Sequence, residues 1–99
     1  MFELKDLEEH FGKTMQIDDL IFTLEKHEDL SGMLAVWKNE SYRIYATPCY
    51  DSVAVPVHVI DCNNQEIGTD GYYSEIDSYE RYCHIVKVLS EKILRRERM

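Results

Sequence analysis

One stretch limits the folding options of this chain more than any other. Valine stands at every second position, Val53, Val55, Val57 and Val59, with Ala54, Pro56, His58 and Ile60 alternating between them. Side chains on a strand point to opposite faces in turn, so the run predicts a strand with one β-branched face. Pro56 has no N–H to donate, which predicts an edge strand or a bulge at that point.

Two shorter segments before it read the same way. Met33–Lys38 is rich in apolar residues, and Tyr42–Thr47 sets Tyr42, Ile44 and Ala46 against Arg43, Tyr45 and Thr47. Asn39-Glu40 and Pro48–Ser52 are turn signals between them. Three strands with short connections predict an antiparallel meander. Trp37, the only tryptophan, is expected to anchor this sheet against a helix.

The flanking segments read as helical. Leu4, Leu7 and Phe11 form one stripe and predict a short helix over 2–11, stopped by Gly12. Ile17, Leu20, Ile21 and Leu24 recur at helical spacing and predict a second helix over about 16–29, with Asp18 and Asp19 in its first turn. Residues 61–74 read as a loop, with a brief strand near Glu66-Ile67. Tyr79, Tyr82, Cys83, Val86, Leu89 and Ile93 keep a helical period and predict a long helix from about Glu75 to Arg96, with Ser74 and Asp77 as a variant capping box. The expected fold class is α+β in the order ααβββα, a small three-stranded antiparallel sheet with helices on one face. The 99 residues fit one small globular domain, 1–99.

Charge is the second constraint. The formal net charge is −8, from 19 Asp and Glu against 11 Lys and Arg. Residues 1–31 carry −6, residues 32–60 carry none, residues 61–80 carry −6 without a single Lys or Arg, and residues 81–99 carry +4. A surface that binds nucleic acid directly must neutralise phosphates with cations, so the balance argues against that class. No apolar run is long enough to span a membrane and the first residues lack a signal-peptide pattern, which with three unpatterned cysteines predicts a cytoplasmic protein with free thiols.

Motifs for chemistry are absent. Neither a G-x-G-x-x-G nor a Walker pattern occurs. Cys49, His58, Cys62, Cys83 and His84 are metal-ligand types but lack zinc-site spacing, and a strand over 53–60 would hold Cys49 and Cys62 more than ~20 Å apart. Cys49 with Asp51 and His58 has the residue types of a thiol nucleophile but no spacing that joins them. The chain is therefore read as non-enzymatic, with no cofactor and no metal.

The reading that remains is a small acidic binding protein. Its expected contact residues are Asp70, Tyr72, Tyr73, Glu75, Asp77 and Glu80, carboxylates interleaved with tyrosines that suit a basic surface on a protein partner. If that surface normally holds nucleic acid, the carboxylates stand in for phosphates, as in an inhibitor. In size, acidity and fold class the chain is similar in kind to phage-encoded anti-defence proteins and toxin-neutralising immunity proteins, a likeness no motif carries. The alternative is a homodimeric structural or regulatory module. It would associate through the edge strand bearing Pro56, or through a second sheet face where Leu34, Val36, Tyr45 and Ile60 form an apolar patch.

Overall fold

The computed structural model describes residues 2–30, 32–48, 54–73 and 76–97. A short helix α1 (Leu4–Leu7) runs into a 3₁₀ turn over Glu8–His10. Six strands follow: β1 (Thr14–Ile17), β2 (Leu20–Asp29), β3 (Gly32–Lys38), β4 (Tyr42–Tyr45), β5 (Ala54–Asp61) and β6 (Glu66–Tyr73). A 19-residue helix, α2 (Tyr79–Glu97), ends the described chain. The strands pair in sequence order as one antiparallel sheet, curled into a half-barrel. α2 lies against β5, β6 and β1, so it bridges the two outermost strands of the curl.

This corrects the three-stranded ααβββα expectation. The segment read as a second helix is the β1–β2 hairpin. Ile17 pairs with Leu20 across the two-residue turn Asp18-Asp19, and Asp18 adopts φ 54°. Short Asp side chains tolerate that left-handed backbone, which suits a tight hairpin turn. Met15, Ile17, Phe22 and Leu24 point to the core, whereas Ile21, which the helical stripe placed inward, is 59% exposed. The segment read as a loop after Asp61 contains β6, paired along its length with β5. Gly68 sits there because α2 approaches closely: a Cβ at this position would lie 2.8 Å from Ile93 Cγ2. Pro56 is not on an edge strand, since β5 lies between β4 and β6. It falls beyond the last β4 pair, Tyr45 with His58, so its missing N–H costs no ladder bond on that side.

The core fills the concave side. Val55, Val57 and Val59 are fully buried there with Phe22, Leu24, Trp37 and Ile44, against Tyr82, Val86 and Leu94 of α2. Each such side chain contributes about 1.5–3 kcal/mol by leaving water. Two polar bonds fix the helix in this apolar setting. Trp37 Nε1 donates to the Tyr82 hydroxyl at 3.2 Å, and that hydroxyl donates to the Ala46 carbonyl at 2.5 Å. The start of α2 is capped by Ser78, whose Oγ accepts from Arg81 N at 3.1 Å; the expected cap at Ser74 lies outside the described residues.

Candidate functional site

Of the six expected contact residues, Asp70 and Tyr72 lie on β6, and Asp77 and Glu80 lie at the start of α2. Asp70 is on β6, where its Oδ1 accepts from Gly71 N and its Oδ2 lies 3.7 Å from Lys92 Nζ of α2. The Tyr72 hydroxyl accepts from Arg81 at 2.9 Å, and the same guanidinium lies 5.6 Å from the ring centroid. Both are therefore engaged by cations of α2. Glu75 is outside the described residues, as is the Tyr73 side chain.

Asp77 and Glu80 are placed differently. They stand exposed around the start of α2, facing the N-terminal segment. The Phe2 N–H donates to the Ile76 carbonyl at 3.0 Å, which ties the first residues of the chain to the approach to α2. Asp6 and Glu9 thereby join Asp77 and Glu80 around one open hollow of about 520 Å³. Two acidic segments some seventy residues apart in sequence meet here, and no Lys or Arg lines the hollow among the described residues.

Its floor is aromatic. The His10 ring stacks on Tyr79 with centroids 3.7 Å apart and planes 5° from parallel. Lys13 Nζ lies 5.6 Å from the Tyr79 centroid. Burial, with the Cys83 thiol as hydrogen-bond partner, pushes the Tyr79 phenol above its usual range. His10 Nδ1 is buried and finds no hydrogen-bond partner among the described residues, while Nε2 lies 3.4 Å from Glu9. Asp6 has a structural task as well, because its Oδ2 accepts from Glu3 N and closes the cap of α1.

Asp6 and Glu9 line this hollow with Asp77 and Glu80, and they are not among the residues expected from sequence. Their charge is evident in sequence, but the backbone bond that brings them to Asp77 is a tertiary event without a local signal.

Among the described residues, the other chemistry-bearing side chains do not converge. Cys49 and Asp51 fall outside the described residues, and His58 is bonded through Nδ1 to Glu66 at 3.0 Å on the convex side. Cys62 is exposed, and Cys83 is half-buried beside Tyr79. Burial pushes the Cys83 thiol up, the opposite of what a nucleophilic cysteine requires. Among the described residues no three His, Cys, Asp or Glu side chains converge as metal ligands. No described helix is long and apolar enough to cross a membrane.

No known protein family matches the chain, and no curated protein or solved structure matches it either.

Proposed function

We propose that this chain is a non-enzymatic, cytoplasmic binding protein whose acidic end occupies a basic site on a protein partner. The observation that supports it is the meeting of Asp6 and Glu9 with Asp77 and Glu80 around one hollow with no lining cation among the described residues. A surface of this kind raises the rate of encounter with cations and discriminates against acidic surfaces. Lysine or arginine side chains entering the hollow would meet carboxylates at its rim and, at its floor, the stacked His10–Tyr79 pair that Lys13 already approaches. Asp70 and Tyr72, already held by α2, belong to the scaffold in this reading.

The test compares two variants of equal net charge. Asp77→Lys with Glu80→Lys reverses the hollow, and Glu40→Lys with Glu97→Lys reverses exposed carboxylates elsewhere. Each pair takes the formal charge from −8 to −4, since each reversal adds two units. Binding to decalysine, followed by titration calorimetry, is expected to weaken by about tenfold more in the first variant than in the second. Equal losses would mean that net charge alone governs binding, and the site would be abandoned.

A further inference from the structure

The β2–β3 hairpin outruns its neighbours. β1 pairs with β2 only as far as Thr23, and β4 pairs with β3 only from Val36. Ala35 is still held by Ala46 N and Thr47 Oγ1, but the three rungs from His27–Leu34 to Asp29–Gly32 have no strand beside them among the described residues. At about 3.4 Å per residue they form an arm of roughly 10 Å. At its tip stands Leu30, fully exposed and the most exposed large apolar residue among those described. An isolated two-stranded ribbon is marginal in water, and an apolar tip adds to that cost.

The convex face beside the arm holds the complement. Leu34, Tyr45, Pro56 and Ile60 line an open hollow of about 510 Å³, with His58 and Glu66 also in its lining. Val36 is buried on this face too, apart from the main core. The register places Glu25, Val36, Tyr45, His58 and Thr69 in one row, and Lys38, Arg43, Ile60 and Glu66 in the next. The charges in these rows cancel: Glu25 and Glu66 against Lys38 and Arg43. With Lys26 at the base of the arm and Glu28 and Asp29 on it, the count becomes −1 on a chain of −8, so this side is close to neutral.

We propose that the convex face and the projecting arm form a two-fold interface with a second copy of this chain, Leu30 of each copy filling the hollow of the other. Two molecules of the same negative charge repel least where each is close to neutral, which favours a second copy on this face over any other contact between them. Leu30 and Leu34, the lining residue on the arm's own strand, lie roughly 10 Å apart along the arm. A two-fold axis between them makes both contacts at once, as an isologous interface requires. Five strands about 4.8 Å apart span about 19 Å, and with β5 spanning about 26 Å the face offers at most roughly 500 Å². The arm must supply the rest of the ~800 Å² per partner in a standard interface. The acidic hollow at the start of α2 lies on the helix side of the sheet and takes no part.

Sedimentation equilibrium on the whole chain tests this. The mass is expected to rise with concentration from 11.7 kDa toward twice that value below ~1 mM. Salt should strengthen this association by screening the mutual repulsion, whereas it weakens binding of a cation at the acidic end. Leu30→Asp alters a side chain fully exposed in the single chain, so the fold is retained while the dimer midpoint shifts by tenfold or more. Val88→Asp, at an exposed apolar residue of α2, should leave the midpoint unchanged. A mass that stays at 11.7 kDa up to ~1 mM overturns the proposal. So does a dimer indifferent to Leu30→Asp, or one that both substitutions dissociate equally.

Discussion

Replacing Tyr82 by phenylalanine removes one oxygen atom from the middle of the protein. That oxygen accepts from Trp37 Nε1 at 3.2 Å and donates to the Ala46 carbonyl at 2.5 Å. Tyr82, Trp37 and Ala46 are all fully buried, so water cannot replace the lost partner. The ring remains and its apolar contacts with it, so no large cavity opens. The cost is that of a buried indole N–H and a buried carbonyl left unsatisfied, at about 1–3 kcal/mol for each group. Relaxation recovers part of this, and about 2–4 kcal/mol is expected. Against a total stability of about 5–15 kcal/mol the loss is large. Trp37, the only tryptophan, reports the transition directly, so urea unfolding followed by its fluorescence measures the effect. Tyr79→Phe, at a half-buried ring whose hydroxyl meets a thiol, is the control and should cost under about 1 kcal/mol. A loss below about 0.5 kcal/mol for Tyr82→Phe at unchanged urea dependence would refute the reasoning, because the two bonds would then carry no net stability.

Three other outcomes are expected. Gly68→Ala should destabilise by about 1–3 kcal/mol, because its methyl group meets Ile93 Cγ2 at 2.8 Å; in the Ile93→Ala background the same change should cost clearly less, which a double-mutant cycle in urea measures. At pH 8, iodoacetamide should modify exposed Cys62 well before Cys83, whose thiol burial pushes up; peptide mass mapping at timed intervals reads the order. Burial raises the Tyr82 phenol, and that of Tyr79, above the ordinary value near 10 in the folded chain, so above that pH the unfolded chain sheds these protons first. Their contribution is complete below about pH 10 and is lost as pH rises further; urea midpoints that stay flat from about pH 9 to 11 in the wild type would contradict this.

The parts of the fold legible in the sequence are those whose side chains alternate against a single core. β5 is the clearest, since Val55, Val57 and Val59 all face inward. β2 is hidden because two periods coincide: Ile17, Leu20, Ile21 and Leu24 satisfy a helical stripe, while the strand uses Phe22 and Leu24 and turns Ile21 outward. β6 is hidden for another reason. Its helix-facing positions include Gly68 and Asp70, one chosen for close approach to Ile93 and the other for reach to Lys92. Neither reads as a strand residue by propensity. Half of the acidic site, Asp77 and Glu80, is visible as a charge run without cations. The other half depends on the bond from Phe2 to Ile76, which no local pattern encodes.

The bridging position of α2 also bears on how the molecule is assembled. Each strand pairs with its sequence neighbour, so the meander can zip in order with short loop closures and little entropic delay. Closing the curl is a different event. It joins Asp18 in the first hairpin to Arg95 near the end of α2, 77 positions later, through a 3.0 Å ion pair, and seats the helix on β1 and β6 together. Without that helix the concave side keeps only Phe2, Leu7 and its own strands' side chains to bury its valines against. The sheet's order of pairing is local, but much of its cover comes from the last element of the fold.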